Sequence, residues 1–507
     1  MLSVDTAATQ ERARAISGTW YLGLIQVLGT GASYLLLAAL TRMGPEQYGL
    51  WVLVLLLAGY LSPWAGLGLS SALIRHMPAY ADRADQLGAY IMARRASLYC
   101  SVAVGAVLVL AAESLAGALF AGGQEWKLVV LVALLFPLEA QLQIGYSAFQ
   151  AREQIGTYAL LTGCRQVVDL LLLASLALWL PDLQWMLVAR VLVLLAINTV
   201  QHLLIKRQFA GVGPANFNSW TELKRFLRFG LPMIPASFIW ALIMGVDRFM
   251  LDYYGQLAEV GIYNVADMMA LFIINYSRPI NGVLQSKFAN LIDHRPEELR
   301  LYLQKAMKFL SIVLVPGAVG MALVAEPVVD LVAGASFARA ASIVPFLCFA
   351  HLLIGLSNPL YHLVFLARGG VAFLRLYPLC IGLNLVLNVL WIPEHGGVGA
   401  AWATMASYGV YVAGLVLMSS REVLWAILST WSSLLKVVLC SLLMGLLMLG
   451  LKQAHPLFEG LLLVPIGLVI FGLLQQAAAL IQPDEWRVIT APLTRLLTWG
   501  QRMRKLS

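Results

Sequence analysis

The chain has 507 residues, of which 60% are hydrophobic and only 12% are charged. A soluble globular protein carries roughly twice that charged fraction, so the composition excludes a soluble domain and indicates an all-α polytopic membrane protein. The net charge of +8 fits the basic loops that orient membrane proteins. No nucleic-acid partner is expected.

Fourteen apolar segments are long enough, at about 20 residues, to cross a bilayer as helices. The start, Met1 to Arg14, lacks the pattern of a signal peptide, so the first segment is expected to remain as a span. The predicted spans are 17–40, 48–73, 88–112, 127–149, 156–180, 184–205, 227–251, 259–285, 305–332, 338–366, 372–392, 397–419, 430–451 and 458–481.

The basic residues predict the orientation of these spans. With both termini in the cytoplasm, 24 of the 34 Lys and Arg residues fall in cytoplasmic segments and 4 on the opposite side. The positive-inside rule requires this bias, which also favours an even number of spans. The five cysteines all lie in apolar segments without a C-x-x-C pair, so they predict packing residues and no metal site.

An internal repeat relates the two halves of the chain. Residues 42–51 (RMGPEQYGLW) join the first two spans, and residues 252–263 (DYYGQLAEVGIY) occupy the corresponding place six spans later. Each stretch has a glycine, an acidic residue and then a helix start of glycine, aliphatic and aromatic residues. Because six is an even number, the halves share their orientation and form a parallel repeat about a pseudo-twofold axis.

The repeat predicts the domain organisation. We expect an N-terminal lobe of six spans, a cytoplasmic linker, a C-terminal lobe of six spans, two further helices and a basic tail. The tail is amphipathic and is expected to lie on the anionic membrane surface, with a solvated tail as the alternative. The boundaries are 1–205, 206–226, 227–419, 420–481 and 482–507.

Three stretches carry a resemblance to a known family. The most specific runs from Phe229–Pro235 (FGLPMIP) through Asp247-Arg248 to Gly261–Ala266 (GIYNVA), and looser ones are Leu40–Trp51 and Gly396–Ala401. The chain resembles the polysaccharide-exporting (Wzx-type) flippases, in the superfamily that also contains the multidrug/toxin extruders and the lipid II flippase.

This resemblance implies a MATE-like fold with two lobes around a central cavity, alternating access and no enzymatic activity. The implied substrate is a polyprenyl-pyrophosphate-linked oligosaccharide, flipped to the outer leaflet of the bacterial inner membrane. The pathway would be O-antigen lipopolysaccharide, capsule or exopolysaccharide synthesis, with membrane lipids, a polymerase and glycosyltransferases as partners. An ion-coupled multidrug exporter and a membrane glycosyltransferase or polymerase are the alternatives.

Charged and amide residues within the spans are the candidates for substrate contact. Arg278 leads, because a planar guanidinium bonds two pyrophosphate oxygens at once, although an arginine reaching the headgroups is the alternative. Asn264 and Asn275 are 11 residues apart, as are Asp267 and Arg278, so they could face the same cavity. Arg248 and Arg42 are further candidate cations.

Two other groups of charges suggest an ion site and an embedded pair. Asp267 and Asp247 are candidates for a gate or for coupling to H+ or Na+, with no cofactor expected, and a structural ion pair is the alternative. Arg165 and Asp169 have the i, i+4 spacing of a salt bridge that Arg190 could join. His351 is a candidate proton relay or a packed polar residue.

Overall fold

The computed structural model describes residues 29–119, 126–212, 219–451 and 463–480. Within them the chain is helical and has no strand. The helices are α1 (29–40), α2 (Pro45–Gly66), α3 (Leu69–His76), α4 (Arg83–Leu110), α5 (Ala112–Leu119), α6 (Trp126–Ala151), α7 (Ile155–Trp179), α8 (Leu183–Gln208), α9 (Ser219–Gly230), α10 (Met233–Ile243), α11 (Val246–Tyr253), α12 (Leu257–His294), α13 (Pro296–Leu323), α14 (Ala325–Ala333), α15 (Ala340–Arg368), α16 (Phe373–Met418), α17 (Arg421–Ser429), α18 (Trp431–Gly450) and α19 (Leu463–Ala477).

Ten of these helices are long and apolar enough to cross a membrane. Their lipid-facing sides carry large exposed apolar side chains, such as Leu446 and Leu171, which only a hydrocarbon surrounding makes favourable. The all-α polytopic class is therefore confirmed. The count of fourteen is approximate, because the first and last predicted spans lie partly outside the described residues, the seventh appears as shorter helices and α16 contains two spans.

The 46-residue α16 is two spans joined by a sharp turn. Gly396 interrupts it with a φ of 55°, a left-handed conformation that glycine adopts without strain. Trp391 and Trp402, eleven residues apart, have ring centroids separated by 6.1 Å, whereas a straight helix would place them about 16 Å apart. The chain therefore reverses direction here, as the separate predictions of spans 372–392 and 397–419 require.

The seventh predicted span is broken into pieces. Pro232 lies between α9 and α10, and Pro235 lies in the first turn of α10, so the chain bends at the first of these two prolines. A second break at Met244 and Gly245 separates α10 from α11. Proline cannot donate a backbone hydrogen bond, which accounts for the first break.

Two lobes pack around one shared core. The N-terminal lobe contains α1–α8 and the C-terminal lobe contains α10–α16, while α18 packs on α13 and carries α19. The principal contact between the lobes is α2 against α12. A second contact, α3 against α9, places His76 between Phe226 and Phe229. The basic tail predicted over 482–507 lies outside the described residues.

The two copies of the sequence repeat meet face to face. A Cβ added to Gly261 would lie 2.2 Å from the carbonyl oxygen of Pro45, and one added to Gly49 would lie 2.5 Å from that of Leu257. Gly49 and Gly261 are equivalent positions of the repeat, 212 residues apart. Glycine is required at both, because only a residue without Cβ allows the first turns of α2 and α12 to touch backbone to backbone.

Replacing Gly261 with Leu should separate these two helix ends, because the new Cβ cannot occupy the position of a backbone oxygen. We expect a cost of about 1–3 kcal/mol, typical of overpacking. Spin labels on the exposed Gln47 and Tyr253 should show a loss of the short-distance population. Gly382→Leu is the matched control, since a Cβ at Gly382 meets nothing within 4 Å. An unchanged distance distribution in Gly261→Leu would contradict the close contact.

Candidate functional site

A cavity of about 460 Å³ lies between the two lobes. Its walls come from α1 and α2 of one lobe and from α10 and α12 of the other. Most of the lining is apolar, and the polar side chains are Ser33, Tyr48, Tyr60 and Asn264. The full lining is Ser33, Leu36, Leu37, Leu40, Tyr48, Trp51, Val52, Leu55, Leu56, Gly59, Tyr60, Ala241, Met244, Asn264 and Met268.

The polar side chains of this cavity join the lobes. Asn264 of α12 donates its Nδ2–H to the hydroxyl of Tyr48 on α2, at 2.8 Å. Tyr34 of α1 donates to the backbone carbonyl of Met268, at 2.9 Å. The hydroxyl of Tyr60 is buried and has no hydrogen-bond partner in the described part of the chain. A buried hydroxyl without a partner is costly, so it is a group that a bound ligand could satisfy.

Behind the cavity, the C-terminal lobe encloses a cluster of charges that we call the C-lobe cluster. It contains Asp247, Arg248 and Asp267. The Arg248 guanidinium donates to Asp247 Oδ1 at 2.9 Å and to Asp267 Oδ2 at 2.5 Å. Asp247 and Arg248 are 2% and 3% exposed, so they are enclosed by protein and do not reach the surface. Their charges are compensated within the protein by pairing with each other and with Asp267.

Neutral groups complete the C-lobe cluster. Tyr263 donates its hydroxyl hydrogen to Asp247 Oδ2, and Thr404 of α16 donates to the same oxygen at 3.3 Å. His351 of α15 lies 2.8 Å from Asp267 Oδ1 through its Nε2. Because a carboxylate only accepts, a neutral His351 holds its proton on Nε2. Its Nδ1 is buried without a partner among the described residues.

The charges of the C-lobe cluster do not cancel when His351 is neutral. Two carboxylates face one guanidinium, which leaves a net charge of −1. One added proton, on His351 or on a carboxylate, brings the cluster to neutrality. A buried net charge is expensive in low dielectric, so the cluster has an electrostatic reason to take up one cation.

The N-terminal lobe holds a second set of charges, which we call the N-lobe ring. It joins Glu139 of α6, Arg165 and Asp169 of α7, and Arg190 of α8. Arg165 bonds Glu139 at 2.6 Å and approaches Asp169 at 3.5 Å, while Arg190 lies 3.3 Å from Glu139 and 3.4 Å from Asp169. The four side chains are only 12–21% exposed. Two positive and two negative charges make the ring neutral.

The structure brings together most of the predicted site residues, in two separate groups. Asp247, Arg248 and Asp267 meet in the C-lobe cluster, and the Arg165–Asp169 pair forms within the ring, joined by Arg190 as expected. Asn264 lines the cavity, whereas Asp267 contacts α11 and α15 and is not among the cavity residues.

The remaining candidates are not gathered at the site. Arg42 is exposed at the end of a short turn after α1, and Asn275 is half-buried in α12. Arg278 lies within α12, but its side chain falls outside the described residues. Two further asparagines within a span, Asn384 and Asn388, bond each other along α16 at 2.9 Å.

Sequence reasoning missed the partners that close each group. Glu139 is not among the residues predicted to join the embedded pair, and the sequence does not connect His351 with Asp267. Both contacts join helices that are far apart in sequence, 84 residues in the case of His351 and Asp267. The usable signal was electrostatic, because an isolated acidic residue within an apolar span needs a cationic or hydrogen-bonding partner.

Comparison with known proteins agrees with this architecture. The fold is similar to the lipid II flippase MurJ in an inward closed conformation, with a TM-score of 0.69 and 14% identity over 92% of this chain and all of that one. It is also similar to a multidrug resistance MATE family transporter of the MOP superfamily in an outward-facing conformation, with a TM-score of 0.53 and 16% identity over 83% and 96% of the two chains.

A sequence relative supports the same grouping. The chain is 21% identical to an uncharacterized membrane protein of Methanocaldococcus jannaschii over 421 residues, 78% of this chain and 82% of the relative. Residues 39–342, more than half of the chain, match the family described as "Polysaccharide biosynthesis protein". The protein therefore belongs to the polysaccharide biosynthesis protein family, and its resemblance to the Wzx-type flippases is confirmed.

Proposed function

We propose that the protein is a flippase that moves polyprenyl-pyrophosphate-linked oligosaccharide from the inner to the outer leaflet of the bacterial inner membrane. The observation that carries the proposal is the cavity between the lobes, flanked by a buried charge group in each lobe. A lipid-linked sugar has an apolar tail and a polar, anionic head. The cavity walls are mostly apolar, and charged side chains lie beside the cavity in both lobes. The product would serve O-antigen, capsule or exopolysaccharide synthesis.

Alternating access explains the inter-lobe contacts. The lobes touch through the glycines at the start of α2 and α12 and through α3 against α9 near the other end of α2. A substrate enters or leaves only if one of these contacts opens while the other stays closed. The positive-inside pattern assigns the glycine contact to the outer face and both termini to the cytoplasm.

The direct test reconstitutes the full-length protein in proteoliposomes with a fluorescent prenyl-pyrophosphate oligosaccharide. Transfer is measured as the fraction of label that becomes accessible to a quencher added on one side. Protein-dependent transfer is expected. No transfer, together with export of lipophilic cations, would instead favour the multidrug exporter, which the mostly apolar cavity walls also suit.

We further propose that the C-lobe cluster couples transport to a cation, H+ or Na+. The support is its net charge of −1 and the contact of His351, whose second ring nitrogen can take up a proton, with Asp267. Uptake of one cation removes the unbalanced charge. The coupled step is then the movement of α12, which carries both Asp267 and the cavity residue Asn264.

Replacing Asp267 with Asn should remove gradient-driven transfer. The amide keeps the size of the side chain, but the cluster becomes neutral without a bound cation and no longer needs one. The measurement is proteoliposome transfer with an imposed pH or Na+ gradient. Asp330→Asn, at an exposed position on α14, is the matched control and should behave like the wild type. Equal stimulation of Asp267→Asn and the wild type would remove the cluster from the coupling mechanism.

His351→Gln separates the two ions. Glutamine can still donate to Asp267 but cannot take up a proton, so coupling to H+ through His351 should be lost. Stimulation by a Na+ gradient should survive, because the carboxylate oxygens are unchanged. The readout is the ratio of transfer rates with and without each gradient. A variant that still responds to the pH gradient would show that His351 is not the proton acceptor.

We also propose Arg278 as the contact for the pyrophosphate group, on the basis of its position about four helical turns after the cavity residue Asn264 on α12. Arg278→Ala should abolish surface glycan while the protein remains in the membrane at its normal level. Arg42→Ala, at an exposed position outside the cavity, is the comparison and should have a much weaker effect. Normal surface glycan in Arg278→Ala would exclude an essential contact.

A further inference from the structure

A second cavity, of about 190 Å³, opens beside the N-lobe ring. We call it the N-lobe pocket. Four of its side chains are polar, namely Ser62 of α2, Glu139 and Gln143 of α6, and Arg190 of α8. The complete lining is Leu55, Ala58, Gly59, Ser62, Leu135, Glu139, Gln143 and Arg190. It is therefore much more polar than the larger cavity.

The N-lobe pocket adjoins the central cavity. Leu55 and Gly59 of α2 line both spaces, so the two cavities lie on either side of the same stretch of helix. A Cβ added to Gly59 would meet nothing within 4 Å. The absence of a side chain at this position leaves open space beside the residues of α2 that the two cavities share.

The size of the pocket limits what it can hold. At roughly 30 Å³ for each water, 190 Å³ corresponds to about six water molecules. Sites for drug-sized ligands begin at about 300 Å³, so an oligosaccharide does not fit and a single ring-sized group does.

The charge of the pocket selects the chemistry of that group. Glu139 and Arg190 belong to a ring of two cations and two anions, so an anionic group gains from one pair and is repelled by the other. Carboxylate oxygens accept hydrogen bonds, while guanidinium and amide groups donate them. A neutral group with several hydroxyls, which both donate and accept, fits this wall.

A purely structural role explains the ring less well. A buried ion network is often no more stable than well-packed apolar residues of the same volume. The N-lobe ring joins only helices of its own lobe, and α6 and α8 also pack closely against each other. Helix packing alone does not require the ring to lie at the wall of a polar cavity.

We propose that the N-lobe pocket binds one neutral sugar ring of the lipid-linked substrate and sets the sugar preference of the flippase. This inference rests on the proposed function, because the sugar reaches the pocket from the central cavity. The ring charges and Gln143 bond the hydroxyls, and Gly59 keeps the entrance clear. The pocket discriminates the sugar, while the lipid and pyrophosphate are held elsewhere.

The test measures binding of three probes to the full-length protein in lipid nanodiscs. They are a short prenyl pyrophosphate without sugar, the same lipid carrying a neutral hexose, and the same lipid carrying a hexuronic acid. The wild type should bind the hexose lipid about tenfold more tightly than the sugar-free lipid, as expected from one or two net hydrogen bonds. The hexuronic acid lipid should show no comparable gain.

Two variants locate the preference. Gln143→Met removes hydrogen bonds at nearly constant volume and should reduce the hexose preference to near one while sugar-free binding is retained. Gly59→Leu fills the shared space and should also reduce the hexose preference, together with a loss of sugar-free binding, because Gly59 lines the central cavity as well. Gly66→Leu, on the same helix where an added Cβ also meets nothing within 4 Å, is the control and should keep the preference.

The outcomes separate the pocket from the function. If Gly59→Leu and Gln143→Met both keep the preference, or if the hexuronic acid is favoured, the pocket does not read the sugar, although the flippase function stands. If the wild type binds the sugar-free and the hexose lipid equally, the pocket proposal is also overturned. If the wild type binds none of the three lipids, the proposed function fails together with the pocket.

Discussion

The cost of burying charge within a fold surrounded by lipid is the constraint on which this structure depends. An unpaired ion in such surroundings costs several kcal/mol, and loss of one partner from a buried pair costs about 3–5 kcal/mol. The chain meets this cost by gathering its embedded charges into two groups, one in each lobe. Arg248 fixes α11 against α12, and Arg165 and Arg190 fix α7 and α8 against α6. The apolar helices have little directional preference of their own, so the pairs made by Arg248 set how α11 and α12 are rotated within the C-terminal lobe.

The two lobes carry the two copies of one sequence repeat, but the net charges of their buried charge groups differ. The repeat is preserved where backbone geometry demands it, at Gly49 and Gly261, which face each other near the pseudo-twofold axis. It is not preserved in the charges, because the N-lobe ring is neutral and the C-lobe cluster is negative when His351 is neutral. A neutral ring has no electrostatic need for a further ion, whereas the cluster has one. This difference supports a division of work in which one lobe reads a neutral ligand and the other responds to a cation.

The fold was largely predictable from sequence, and the site only in part. Long apolar runs in a bilayer form helices, because a helix satisfies its backbone hydrogen bonds internally. The helices and the turn at Gly396 therefore follow from local sequence. The Arg165–Asp169 pair was also predictable from local sequence, because residues at i and i+4 lie on the same face of a helix. The contacts of His351 with Asp267 and of Glu139 with both arginines depend on which helices become neighbours. The choice of neighbouring helices depends on how apolar helix surfaces pack against each other in lipid. Many such packings are similar in energy, and a single sequence does not rank them.

The geometry also explains how a small change of charge can reach the other lobe. Asp267 and Asn264 are three residues apart on α12, so they occupy adjacent turns of one rigid helix. Asp267 holds Arg248 and His351 inside the C-terminal lobe, while Asn264 holds Tyr48 of α2 across the cavity. A rotation of α12 that lengthens the first set of contacts must also move the second. The hydrogen bond from Asn264 to Tyr48 lies close along α12 to Gly261, where the lobes touch. Any displacement of α12 that follows a change of charge at Asp267 is therefore felt first at the contact between α2 and α12, which has to open for alternating access.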